Sequence, residues 1–338
     1  MKILILTDYR TAFYSSAKNA RTLCTLDTIK IKENLEKQGY EVETSNFADI
    51  ALDRQYTGTY VIYTSSEDRG LKYRSYIEDT ILFLKERGAT LIPDFPFLRA
   101  HHNKSFMEML RYDLFPEQAK MLNSKIYGTL EDLEGTEIPE QKYVIKSAYG
   151  AGSKFVKSAK NKKELLAIAK RISSGHTLED VASEYRRRIF WRGYQRGSLN
   201  RNKFIVQDFI EGLEGDVKVL KYGKRFYALY RENRQNDFRA SGSGNLTFAL
   251  PETINEERLL SYAKTVSDKI GTPLCSMDIA WNGTEFILIE FQCLCFGPYT
   301  AEYSSYYNIF EQGQWNKIDE ECCVEDILCE AIHDHIKH

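Results

Sequence analysis

Short apolar runs alternate with stretches of helical period through the first hundred residues: KILILT, an amphipathic stretch from about Leu26 to Gln38, then YEVETSNF and YVIYTSS. A second amphipathic stretch, from about Tyr73 to Arg87, and the run ATLIPD complete the series. Continuous or alternating apolar runs predict strands, and the 3.6 period predicts helices. Strand and helix in alternation predict an open parallel sheet with helices on both faces, whose ligand crevice lies at the carboxyl ends of the strands. Polar residues stand there: Thr7, Asp8, Tyr9 and Arg10 after the first strand, and Thr64, Ser65, Ser66, Glu67, Asp68 and Arg69 after a later one.

The pattern changes beyond Pro93 and Pro96. HHNKSFMEMLRYDLF predicts a connecting helix capped by Asn103 or Ser105. KIYGT, QKYVIKSAYGAGSKFVKSA and KKELLAIAKRI read as strand, turn, strand and helix, a small lobe of its own. Residues 172–203 are a polar, arginine-dense insertion, and from Lys203 a strand-rich region runs to a last helix. Three segments are expected: 1–100, 101–203 and 204–338.

Composition narrows the class. A chain of 338 residues, 43% apolar and 28% charged, is of ordinary globular make-up with room for two or three subdomains. No stretch approaches the roughly 18 apolar residues of a membrane span, so no membrane partner is expected. The start MKILILTDYR is too short for a secretory segment and suits a buried strand, which points to the cytoplasm. Seven cysteines without CxxC spacing predict reduced thiols, and a net charge of −2 gives no general case for nucleic acid. His101/His102 and the tail HDHIKH lack a full ligand set and read as solvated helix residues.

Three segments carry candidate chemistry. In YVIKSAYGAGS, Lys146 precedes Gly150, Ala151, Gly152 and Ser153, and glycines there let backbone N–H groups reach a polyphosphate. A tight hairpin uses the same residues, and no P-loop pattern is present. KFIVQDFIEGLEGDVKVLKYGKRFYALYRENRQNDFRASGSGN reads as a strand, an acidic turn and a strand pair. CSMDIAWNGTEFILIEFQ reads as two antiparallel strands turning at Asn282 and Gly283, with Asp278, Glu290 and Gln292 offering hard oxygens to magnesium or, alternatively, standing as exposed hairpin carboxylates.

In order and spacing, these segments resemble the ATP-grasp superfamily, in particular the ribosomal-protein glutamate ligases and lysine-biosynthesis ligases. The resemblance spans about residues 100 to 298. It implies an α/β ATP-grasp fold behind a Rossmann-like N-terminal domain. It also implies ATP with magnesium, two ions by analogy, and a carboxylate activated as an acyl phosphate before an amine takes it. Residue by residue, Lys104 and Lys146 match the nucleotide lysines, and Gly150, Gly152 and Ser153 the phosphate-covering loop. Gln207, Asp208, Phe209 and Ile210 match the hinge that frames adenine, with Glu211 or Glu214 on the ribose. Asp216 and Lys218 match an acidic-x-basic triplet, and Arg231 and Arg239 the arginines facing the γ-phosphate and acyl phosphate. Asp278 and Glu290 match the magnesium carboxylates. Gln292 stands where those ligases have asparagine, and GSGN at 242–245 replaces their Gly-Gly pair, with Asn245 a candidate for its asparagine.

The substrates are less legible. Small-molecule carboxylates and amines are the partners implied. The run YRRRIFWRGYQRG, with Arg186, Arg187, Arg188, Arg192 and Arg196 among aromatics, suits an anionic or nucleotide-sugar substrate, or a solvated helix whose aromatic side packs on the core. Nucleic acid is the least favoured occupant. FGPYTAEYSSYY could line an acceptor pocket or pack in a core, and a homodimer stays open. A kinase on the same scaffold and a non-catalytic nucleotide- or RNA-binding module are the competing functions.

Overall fold

The computed structural model describes residues 1–15, 24–66, 68, 70–150, 155–234, 237, 239–240 and 244–337. They form two compact units, residues 1–101 with 212–338, and residues 102–211.

The first unit begins with β1 (Lys2–Thr7), β2 (Tyr14–Ser15), β3 (Cys24–Thr25), α1 (Thr28–Lys37), β4 (Glu41–Asn46), β5 (Thr59–Tyr63), α2 (Lys72–Glu86), β6 (Thr90–Ile92) and α3 (Phe95–Ala100). Strands pair in the order β4-β1-β5-β6, all parallel, as strand–helix alternation requires. Alternate residues of β1 serve opposite faces. Leu4 and Leu6 pack with Ile77, Ile81 and Leu98, while Ile3 and Ile5 pack with Ile31 and Leu35.

Local chemistry sets the helix starts. Asp27 accepts the N–H groups of Ile29 and Lys30 at the head of α1. Asp68 does the same for α2, accepting from Lys72, Tyr73 and Arg74 at 2.7, 3.2 and 3.2 Å. Burial opposes the ionisation of Asp68, and these N–H groups overcome it and lower its pKa. The Asp68 carboxylate thus starts a helix, and Glu67 and Arg69 lie outside the described residues. His101 is buried at 2% exposure, contrary to the solvated placement expected of it.

The second unit holds α4 (Lys104–Leu114), α5 (Pro116–Leu122), β7 (Lys125–Tyr127), α6 (Leu130–Glu134), β8 (Tyr143–Ser147), β9 (Val156–Ala159), α7 (Lys162–Ser173), α8 (Leu178–Phe190) and β10 (Phe204–Asp208). Its antiparallel sheet runs β7-β10-β8-β9, so residues 204–208 belong to this sheet. Tyr143, Ile145, Phe204 and Val206 pack against Leu165 and Ala169 of α7. Period-two alternation puts Lys146 and Gln207 on the opposite face.

No residue of α8 is buried. Tyr185, Phe190 and Trp191 are 68%, 75% and 66% exposed, so its aromatic side does not pack on a core as one sequence reading expected. The helix is held through its polar side instead, where Glu184 accepts from Tyr194 Oη at 2.7 Å and from the Gly197 N–H at 3.3 Å.

The first unit resumes with β11 (Gly215–Tyr222), β12 (Arg225–Glu232), β13 (Leu246–Thr247), α9 (Glu256–Ile270), β14 (Leu274–Trp281), β15 (Phe286–Gln292), α10 (Tyr299–Glu302), β16 (Tyr306–Glu311), β17 (Gln314–Asp319) and α11 (Val324–Lys337). Its antiparallel sheet runs β15-β14-β11-β12-β16-β17, with β13 on β12. The β14–β15 turn has Gly283 at φ 96°, within the Asn-Gly signal of the sequence. Helix α11 returns to the opening sheet, placing Leu328, Cys329 and Ile332 in one core with Ile3, Ile5 and Ile31. Asp326 there accepts from Lys30 Nζ and Asn34 Nδ2 at 3.1 and 2.7 Å.

Candidate active site

The polar face of the β11–β12–β14–β15 sheet is built by register. Asp216 lies opposite Arg231, Lys218 opposite Asp278, Asp278 opposite Glu290 and Ser276 opposite Gln292. Cross-strand partners share a face, so these seven residues form one group. The intervening Val217, Val219, Met277 and Phe291 are buried on the other side. A register shift between Asp278 and Ile279 marks a bulge, a device that re-aims a side chain beside a site. Gly215 opens the ladder where a Cβ would come within 2.4 Å of the Arg231 carbonyl oxygen and 2.7 Å of Tyr230 Oη.

Within this face Arg231 is 4% exposed and lies between two acids. Its Nε is 2.6 Å from Asp216 Oδ1 and its Nη2 2.8 Å from Asp278 Oδ2. Lys218 Nζ stands 3.5 Å from Asp278 Oδ1 and donates to Ser276 Oγ at 2.8 Å. Burial pushes Asp216 up to about 6, against the pull of Arg231 and with help from the Asp278 charge. Burial also opposes ionisation of Asp278, but Arg231 and Lys218 overcome it and take that group down to about 2. Arg231 loses solvation and regains more from the two carboxylates, so it stays charged. Glu290 Oε1 accepts from Gln292 Nε2 at 3.2 Å.

Asp278, Glu290 and Gln292 offer two carboxylates and an amide on adjacent strands, and the low pKa of Asp278 keeps that carboxylate ionised. Such hard oxygens fit magnesium. Among the described residues no group of three or more His, Cys, Asp or Glu could hold a metal.

The remaining predicted residues are placed as follows. Arg239 pairs with Asp237, Nε to Oδ2 at 2.9 Å, and its carbonyl receives the Arg234 N–H. Glu214 is exposed, and its carbonyl receives the Asn233 N–H. Asn245 receives the Glu232 N–H on its carbonyl, and Gly242 lies outside the described residues.

In the second unit, Lys104 opens α4 after the Asn103 cap and gives its N–H to the Ala148 carbonyl at 2.9 Å, which brings it beside the end of the strand bearing Lys146. Gly150 has φ +114°, and a Cβ there would meet the Phe155 ring at 2.8 Å. Gly152 and Ser153 lie outside the described residues. Asp208 accepts from Asn123 and Gln141 at 3.1 and 2.6 Å. Phe209 lies under Lys142 Nζ, which also pairs with Glu211, and Ile210 is half-buried. The Gln207 side chain is spent on Ser124 Oγ at 2.6 Å, which leaves its backbone as the part available to a ligand.

Sequence reasoning missed Ser276, Glu108, Arg111 and Ser124. Glu108 and Arg111 stand three apart on one helix, a spacing that signals a pair. Nothing local marks Ser124 or Ser276, whose partners come from remote strands.

No protein-family model and no curated protein matches the sequence. In structure the chain is similar to D-cycloserine synthetase DcsG, at 13% identity and a TM-score of 0.53, over 99% of this chain and 100% of that one. It is also similar to a RimK domain ATP-grasp protein from Sphaerobacter thermophilus, at 12% identity and a TM-score of 0.48 over 100% of both chains. A D-alanine–D-alanine ligase from Bacillus anthracis follows at 12% identity and 0.46 over 87% of each. No helix among the described residues is long and apolar enough to cross a membrane.

Proposed function

We propose, from the premise that the chain has the ATP-grasp fold, that it is a cytoplasmic ATP- and Mg2+-dependent carboxylate-amine ligase. It forms an amide bond through an acyl phosphate and releases ADP and phosphate. One observation carries the reading: the buried Asp216–Arg231–Asp278–Lys218 ladder beside Glu290 and Gln292. Opposed charges held away from water, with two acids displaced in opposite directions, are characteristic of groups kept for chemistry.

The roles follow from charge. Asp278, Glu290 and Gln292 would hold magnesium, whose charge would there offset that of the phosphates. Lys104 and Lys146 bind phosphates, assisted by backbone N–H groups of 150–153, and the backbone of 207–210 receives the base, with Glu211 or Glu214 on the ribose. Arg231, charged and desolvated, stabilises the negative charge shared by γ-phosphate and acyl phosphate, and Arg239 that of the tetrahedral oxyanion. Lys218 fixes Asp278, and Asp216 fixes Arg231. A substrate carboxylate displaces ADP from the γ-phosphorus, and a substrate amine then displaces phosphate from the acyl carbon.

An ADP-release screen with Mg2+ across acid and amine pairs tests this. Release that requires both partners and yields free phosphate supports ligation. A product that retains phosphate would make the protein a kinase, and neither ATP binding nor turnover would make it a binding module.

A further inference from the structure

Along the C-terminal end of α7 runs a cleft of about 940 Å³, closed on its other side by residues 196–200. Its size is that of a small-molecule site. None of the nucleotide residues named above lines it. Helix α7 covers the sheet face carrying Ile145 and Val206, whereas Lys146 and Gln207 project from the other, so the sheet separates cleft and lysine.

The lining is cationic. Lys170, Arg171 and Arg196 line the cleft, and no ion pair joins any of them to an acid among the described residues. Its single acid, Glu131, is engaged by Ser198 Oγ at 2.6 Å. His176 is anchored by Nδ1 at 3.1 Å from the Leu199 carbonyl oxygen. Lys170 and Arg171 in the last turn of α7 also offset the helix dipole. That accounts for two cations and leaves Arg196, which arrives from a loop of the arginine-dense insertion.

We infer that this cleft binds a small anion bearing two linked phosphates, gripped by Lys170, Arg171 and Arg196, at a site separate from the one proposed for ATP. Guanidinium groups match phosphate oxygens two at a time, and a diphosphate carries enough charge to meet Arg196 together with the two cations at the end of α7. The diphosphate is free pyrophosphate or the tail of a nucleotide.

Calorimetric titrations without Mg2+, with inorganic pyrophosphate and with ADP, decide the matter. The double variant Lys170→Glu/Arg196→Glu, at exposed positions, is expected to weaken binding by about tenfold or more with an unchanged circular dichroism spectrum. Arg201→Ala, at an exposed position outside both sites, should leave pyrophosphate binding in place. Loss of pyrophosphate binding together with one of two ADP-binding steps in the double variant identifies a nucleotide tail, and loss of pyrophosphate binding alone identifies the free anion. Unchanged affinities for both would overturn the site. The titration involves no turnover, so its failure leaves the ligase reading standing, and failure of the ligase screen leaves this site standing.

Discussion

In the unit of residues 102–211, Glu108 pairs with Arg111 at 3.0 Å and accepts from Ser124, which accepts in turn from Gln207. In the other unit, Arg231 stands between Asp216 and Asp278. Both networks are buried and use the same kinds of side chain. In the first, Gln207 donates to Ser124, and Ser124 and Arg111 both donate to Glu108. In the second, two acids compete for one guanidinium, and Asp216 moves to about 6 while Asp278 falls to about 2. Satisfied polar networks rigidify a fold, and contested ones are where charge is available for work.

The largest expected effect lies in the contested network. Glu290→Ala should lower turnover by about a thousandfold or more with the fold intact. Full activity in that variant removes Glu290 from the metal set. In the network of residues 102–211, Glu108→Ala takes a buried carboxylate from beside the Arg111 guanidinium, and denaturant melts should show a loss of about 3–5 kcal/mol with turnover per folded molecule unchanged. Lost turnover at full stability would reverse the contrast drawn here.

A third effect is pH-dependent. Burial raises Asp216 from 3.8 to about 6, so its ionisation costs stability in full above pH 6, and that cost shrinks as pH falls from 6 and is gone below 3.8. Asp278, lowered to about 2, contributes stability above its ordinary 3.8 that is lost as pH falls through 2. Between about pH 5 and about pH 7.5, in chelator, wild type should therefore lose about 1–2 kcal/mol relative to Asp216→Asn. A parallel pH response of the two proteins would show that Asp216 is not raised in the fold. The smallest effect is that of Ser124→Ala, about 1 kcal/mol in melting, with ATP affinity unaltered.

Much of the fold was legible because the first hundred residues obey one rule, an apolar strand followed by an amphipathic helix. The Asn282–Gly283 turn similarly gave away β14 and β15. Strand β10 was assigned by sequence to the segment that follows it, because a strand's own residues do not reveal which neighbours complete its hydrogen bonds. Helix α8 was misjudged in one respect: periodicity marks an apolar side without saying whether anything covers it, and here Glu184 holds the opposite side down. At the site, Asp216, Lys218, Arg231, Asp278, Glu290 and Gln292 were all named, and register joins them on one face. The contest between Asp216 and Asp278 was not legible, since it depends on both reaching one guanidinium across three strands.

Helix α11 sets the order of events during synthesis. The residues that cover Ile3 and Ile5 include Leu328, Cys329 and Ile332, and Lys30 waits for a partner 293 residues downstream (the Lys30–Cys323 contact). At ribosomal speeds of about 5–20 residues per second, the opening strand and helix stand with one side bare for about 15–60 seconds. The opening sheet is thus completed only after residues 323–332 have been made, and until then its aliphatic side is exposed surface of the kind chaperones bind.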